Sequence, residues 1–305
     1  MTVSVIEREI LSADKIHMLK GKVYLPNGEA KGIFHVVHGM QEHIGRYDSF
    51  MQRMAKEGYI CFGYDHLGHG KTAEINGDFG FIAKSNGWQK LVADVANFAY
   101  AIRTEFGDTL PYYLLGHSMG SFIVRLAATM FVKPDKLIIM GTGGPNPVTN
   151  LGLAVISIIK AIKGDRYISK FVADLAFGSY NDRYKEENDP SSWLTTDESI
   201  RAAHKEDIFC SYRFSVSAMH DLITLNKLCN IKKWFKEFPK DLPTLIVSGR
   251  EDPVGNYGKG VDIVFNSLKQ SGADVDCKIY QNCRHEILND TCKEQTITDI
   301  LEFIK

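Results

Sequence analysis

Short apolar runs of strand length recur along this chain, most of them followed by a stretch of helical period. Gly32 to Val37, Tyr59 to Tyr64, Tyr112 to Leu115, Lys136 to Met140, Leu242 to Ser248 and Val275 to Tyr280 are near-continuous runs of this kind. Helical spacing appears in Phe50, Met51 and Met54 within Tyr47 to Glu57, in Leu91, Val92, Val95, Phe98 and Ile102, and in Ser121 to Phe131, Gly260 to Ser271 and Thr291 to Ile304. Strands without polar alternation, interleaved with helices, predict a parallel sheet buried on both faces. Two earlier extended segments, Val3 to Ile10 and His17 to Tyr24, end at the turn signal Pro26-Asn27-Gly28 and predict an antiparallel edge. The fold class is α/β, a mostly parallel eight-stranded sheet with helices on both faces.

The alternation breaks after Gly141 and resumes at Leu242. Residues 1–144 and 241–305 therefore read as two parts of one core, and residues 145–240 as a helical cap inserted over one end of the sheet. Within the cap, Leu151 to Ile162 and the group Phe171, Val172, Leu175, Ala176 and Phe177 are strongly apolar. Most of these side chains are expected to pack against the body, with some bordering a pocket, and the same stretches could make transient contact with a lipid surface. Tyr180 to Asp197 reads as a solvated loop. The segment from the glycine-rich turn Asp65-His66-Leu67-Gly68-His69-Gly70 to Asn86 reads as irregular.

Charge narrows the classes of partner. The 305 residues carry 36 basic and 37 acidic side chains, a net charge of -1, so no electrostatic footprint for nucleic acid is present. Glu7, Arg8 and Glu9 interrupt the amino-terminal Met1 to Asp14, unlike a secretion signal, and no run reaches membrane-spanning length; a cytoplasmic protein is expected. The six cysteines are scattered without C-x-x-C spacing, which argues against a zinc site and a disulfide framework.

The chemistry centres on Gly116-His117-Ser118-Met119-Gly120, a G-x-S-x-G sequence between an apolar run and a helical one. A strand, a sharp turn and a helix in that order would display Ser118 at the sheet edge, with the Met119 N–H at the positive end of a helix dipole. A serine needs a base, and the base needs an acid to orient it. In an open parallel sheet the loops after the strands converge, which brings forward His285, after the run ending at Tyr280, and Asp252 or its neighbour Glu251, after the run ending at Ser248. The order Ser118, Asp252, His285 is the one expected when such a turn heads a triad. Among ten histidines, His35 and His38 would point to opposite faces of a strand, His66 and His69 read as structural turn residues, and His117 lies on the wrong side of Ser118 to serve as its base. Asp65 reads as the anchor of the glycine turn. A second anion-binding amide is expected from Met40, after His38-Gly39, to pair with that of Met119.

Five collinear motifs carry a resemblance: His38-Gly39-Met40-Gln41-Glu42-His43 with Gly45-Arg46-Tyr47, Asp65 to Gly70, Gly116 to Gly120, Gly249-Arg250-Glu251-Asp252, and His285. Together they resemble the monoacylglycerol lipase and lysophospholipase branch of the α/β-hydrolases. The resemblance implies an α/β-hydrolase fold and an esterase acting on monoacylglycerol- or lysophospholipid-like small-molecule esters. It also implies Ser118 as nucleophile, Asp252 rather than Glu251 as acid, His285 as base, the Met40 and Met119 amides as anion hole, and no metal or organic cofactor. Gln41 departs from the glycine common in the animal lipases. Two rival readings are an aminopeptidase or amidase, with Glu186, Glu187 and Asp189 as candidate holders of a substrate amine, and a non-catalytic ligand-binding protein on the same fold.

Overall fold

The computed structural model describes residues 3–305; Met1 and Thr2 of the amino-terminal stretch lie outside them. Eight strands form one sheet: β1 (Ser4–Leu11), β2 (Met18–Leu25), β3 (Gly32–Val37), β4 (Tyr59–Tyr64), β5 (Tyr112–His117), β6 (Lys136–Met140), β7 (Thr244–Gly249) and β8 (Val275–Tyr280). Their spatial order is β1-β2-β4-β3-β5-β6-β7-β8. β1 pairs antiparallel with β2 from Ser4 opposite Leu25 to Leu11 opposite Met18, and β2 pairs antiparallel with β4. Every later pair is parallel. The antiparallel edge and the parallel body both match the sequence pattern. β3, β4, β5 and β7 are buried at every position, as strands covered on both faces must be.

The helices are α1 (Asp48–Lys56), α2 (Gly70–Asn76), α3 (Gly87–Phe106), α4 (Met119–Met130), α5 (Thr149–Lys163), α6 (Lys170–Phe177), α7 (Glu198–Glu206), α8 (Val216–Leu228), α9 (Lys232–Glu237), α10 (Lys259–Gln270) and α11 (Lys293–Ile304). α1 and α11 bury Phe50, Met51, Ile297 and Ile300 against Phe34, Val36 and Leu115 on one face. α3, α4 and α10 bury Val95, Phe98, Ile123 and Val264 with Ile33, Leu114 and Ile139 on the other. Successive strand residues thus serve opposite cores, which is why the strands show no polar alternation.

Three expectations need correction. The stretch before Asn86 is not wholly irregular, because α2 occupies Gly70–Asn76. This helix is too short to show a period; the Asp65 carboxylate accepts the Lys71 N–H at its first turn (2.8 Å), and Gly77 ends it at φ 69°. Tyr180 to Asp197 is solvated only in part: most of residues 182–190 are exposed, but the end of the segment is not. Ser192, Leu194 and Thr195 are buried, and the segment is strapped to the chain around His285: Leu194 O accepts the Glu286 N–H (2.7 Å), Ser192 O accepts from Arg284 (2.6 Å), and Thr195 donates to Asn289 O (2.6 Å).

The third correction concerns α5 and α6. Only Ile156 and Val172 are buried there, whereas Leu151, Ile158, Ile162, Phe171 and Leu175 are each at least 60 % exposed. Each helix has one inward stripe, and its remaining apolar face has no body to meet. α5 packs on α8, which in turn lies against α3 and α4. α9 is fixed through Trp234, whose indole N–H donates to Arg125 O (3.1 Å) and whose ring lies 4.5 Å from the buried Arg125 guanidinium. Among the described residues no helix is long and apolar enough to cross a membrane.

Candidate active site

β5 ends at His117 and α4 begins at Met119, leaving Ser118 alone in the turn at φ 53°, ψ -119°. A non-glycine residue holds such a conformation only where its surroundings fix it. Here Ser118 N–H donates to Met140 O at the end of β6 (3.0 Å), while Ser118 O accepts both the N–H and the hydroxyl of Ser121 (2.9 and 2.5 Å). The two flanking glycines are sterically required. A Cβ on Gly116 would lie 2.3 Å from Gly120 O, and one on Gly120 would lie 2.1 Å from Val37 O at the end of β3. Ser118 is half-buried between buried neighbours. A Cβ on Gly39 would lie 2.9 Å from Ser118 Cβ, so the backbone leading into Met40 runs directly beside the serine, and Met119, the next residue, opens α4.

Asp252 follows β7 and His285 follows β8. His285 Nδ1 lies 2.9 Å from Asp252 Oδ2, and both side chains are buried. The second carboxylate oxygen accepts the Val254 N–H (2.8 Å), which fixes its plane. Nδ1–H therefore donates to Asp252, and Nε2 is the ring atom left for other chemistry. Glu251 turns outward to Arg183 (3.0 Å). Of the two adjacent acids, it is Asp252 that reaches His285. The His285 ring lies 4.7 Å from the ring of His117, the residue before Ser118, and 5.1 Å from Trp193 of the strap. Among the described residues no hydrogen bond joins Ser118 Oγ to His285; bonds of this kind are commonly long before a substrate is held and shorten in the reacting complex.

A buried charged network lies under this pair. Glu42 Oε1 accepts from the Gly39 N–H, from Tyr47 (3.0 Å) and from His117 Nδ1 (3.1 Å). Arg46 forms a two-pronged pair with Glu286 (2.6 and 2.7 Å). Burial opposes ionisation of Glu42, but the hydrogen bond and charge of His117, with Arg46, outweigh it and hold the carboxyl far below its usual range. Burial likewise works against a charge on His117, and Glu42 outweighs it, raising the imidazole above its ordinary value. His117 Nε2 then donates to His285 O (3.3 Å), tying the Ser118 turn to the His285 backbone. His38, His66 and His69 behave differently. Burial pushes His66 down to about 3 and His69 to about 4, and both rings donate to backbone carbonyls, as turn residues should. Asp65 accepts the Ile44 and Lys71 N–H groups (2.8 Å each), the anchoring role read from its position.

Comparison with known proteins sets this geometry in a lineage. The Hydrolase_4 family, described as serine aminopeptidase, S33, matches residues 28–292. The chain belongs to the Hydrolase_4 family. The human "Monoglyceride lipase" is 31 % identical over 266 residues, covering 87 % of this chain and 78 % of that protein. The "Monoacylglycerol lipase" of Mycolicibacterium smegmatis is 25 % identical over 292 residues, covering 92 % and 91 %. Among solved structures, a thermostable carboxyl esterase from Bacillus coagulans, in complex with glycerol, superposes with a TM-score of 0.93 at 28 % identity over 99 % of this chain and 98 % of its own. The fold is the α/β-hydrolase fold, and the protein is a serine ester hydrolase.

Within this Hydrolase_4 member, sequence reasoning missed Glu42, its pairing with His117, and Trp193. Glu42 lies inside the His38 to His43 motif, yet its partner His117 is 75 positions away, and no local period marks such a pair. Trp193 carried a weak signal, a large aromatic residue within a largely polar stretch.

Proposed function

We propose that Ser118 is the nucleophile of this hydrolase, His285 its general base and Asp252 the group that orients His285. The substrates are monoacylglycerol- or lysophospholipid-like esters. The observation that carries the reading is the 2.9 Å bond between His285 Nδ1 and Asp252, formed by the loops after β7 and β8 on the side of the sheet where the Ser118 turn stands. In the reaction His285 Nε2 takes the hydroxyl proton as Ser118 Oγ bonds to the ester carbonyl carbon. The Met40 and Met119 amides hold the resulting oxyanion, and the C–O bond to the alcohol breaks as His285 returns the proton to the leaving oxygen. Water, deprotonated by the same imidazole, then adds to the acyl carbon, and the bond to Ser118 Oγ breaks as His285 returns that proton to the serine, releasing the acid.

Residues 145–240 act as the cap that shapes the acyl site. Its outward apolar face, Leu151, Ile158, Ile162, Phe171 and Leu175, bordered by Lys163 and Lys170, suits transient contact with a lipid surface from which such esters are drawn. The human and mycobacterial relatives, a monoglyceride lipase and a monoacylglycerol lipase by name, favour a monoacylglycerol. The aminopeptidase reading has support in the family description, but two of the three carboxylates it calls on are engaged: Glu187 pairs with Arg284 and Arg201, and Asp189 with Arg201 and Lys205. An assay panel tests the proposal. Monoacylglycerols and p-nitrophenyl acyl esters should be turned over, aminoacyl-naphthylamides should not, and Ser118→Ala should abolish ester turnover in a folded protein; preferential cleavage of the naphthylamides would reject it.

A further inference from the structure

Away from Ser118, three side chains of mixed donor chemistry meet at a seam. His43 lies in the loop between β3 and α1, and Asp207 and Cys210 lie three residues apart in the turn after α7. A ring nitrogen, a carboxylate oxygen and the sulfur all lie within 4.8 Å of one another. His43 Nε2 is 2.9 Å from Asp207 Oδ2. Cys210 is buried, while His43 and Asp207 are half-buried, so one side of the trio opens to solvent.

We infer that His43, Asp207 and Cys210 form a binding site for a borderline transition-metal ion of the Zn²⁺ class. The donor set selects the ion: imidazole, thiolate and carboxylate are zinc's usual ligands, whereas calcium and magnesium take oxygen alone. Two ligands from one turn and a third from a distant loop leave the solvent side for a water as fourth ligand. The donors are already oriented. Asp207 Oδ1 accepts the Phe209 N–H (2.8 Å), which directs Oδ2 to His43. The His43 ring is held between the Phe209 ring (5.3 Å between centroids) and Gly45, where a Cβ would lie 2.9 Å from the imidazole. Drawing the atoms onto bonds of about 2.0–2.3 Å requires shifts of about an ångström.

Binding breaks the His43–Asp207 hydrogen bond. The Cys210 sulfur enters as thiolate, its proton passing to solvent, and the imidazole coordinates through Nε2 with its own proton on Nδ1. The ion would staple the loop that carries Met40 to the turn after α7, where Gln41 already donates to Tyr212 O. The inference is independent of the roles given to Ser118 and His285.

The test is zinc binding by the full chain. Protein stripped with EDTA is titrated with ZnCl₂ in competition with a chromophoric chelator, and melting is followed alongside. One equivalent should bind with micromolar or tighter Kd and raise Tm by about 5 °C at a hundredfold excess over Kd. Both effects should be lost in Asp207→Asn and Cys210→Ser, and Co²⁺ should give a thiolate charge-transfer band absent from Cys210→Ser. Should the buried Cys210→Ser fail to fold, the half-exposed Asp207→Asn carries the comparison. Absence of uptake below millimolar zinc, or equal affinity in wild type and Asp207→Asn, would overturn the inference.

Discussion

At Asp252 and Glu251 two adjacent carboxylates have opposite fates, decided by which side of the chain each faces. Asp252 is fully buried and spends one oxygen on Val254 N–H and the other on His285 Nδ1. Glu251 meets the half-exposed Arg183, an interaction worth little in water. Asp252→Asn should therefore lower kcat about 10³–10⁴-fold by favouring the wrong imidazole tautomer, with circular dichroism unchanged. Glu251→Gln should stay near wild-type activity. Comparable losses from the two substitutions would remove Asp252 from its assigned role.

On the scale of elements, the amino-terminal hairpin is latched to α3 by one buried acid. Asp94 accepts from the Ser12 hydroxyl (2.9 Å) and the Ala13 N–H (2.5 Å), and burial pushes its pKa up to about 7. The folded state thus holds a proton that the unfolded chain releases near its ordinary value of 3.8, so stability falls as pH rises from about 4 to about 7. The loss should be on the order of 2–4 kcal/mol, and Asp94→Asn should flatten this limb in urea melts run across that range. An unchanged slope in the variant would assign it to another group. The elements differ in how far the sequence alone reveals them. β3 to β7 were legible because burial on both faces leaves little room for polar residues, and the meeting of the loops that carry Asp252 and His285 because parallel topology gathers the loops after the strands. α2 was hidden because two turns held by Asp65 carry no period. The strap from Tyr180 to Asp197 was hidden because its burial rests on hydrogen bonds to residues 284–290, which polar composition disguises as solvation.

For the whole molecule, the sheet builds the site, and the outward apolar face of α5 and α6 leads beyond it. If that face meets lipid, the wild-type protein should co-sediment with anionic phospholipid vesicles, and Ile158→Ser with Phe171→Ser should reduce binding at least tenfold while leaving hydrolysis of a soluble p-nitrophenyl ester intact. Vesicle binding unchanged in the double variant would move the contact elsewhere. The donor trio at the seam and the Glu42–His117 network were invisible in the sequence for one reason: each joins distant residues that only the fold brings together. The central claim, that one strained serine does the chemistry with His285 behind it, is tested most directly by treating the folded protein with a fluorophosphonate and mapping the adduct by peptide mass spectrometry. The account predicts a single stoichiometric adduct on Ser118, with labelling at least a hundredfold slower in His285→Ala. An adduct on any other residue, or a chain that hydrolyses esters while Ser118 stays unlabelled, would contradict it.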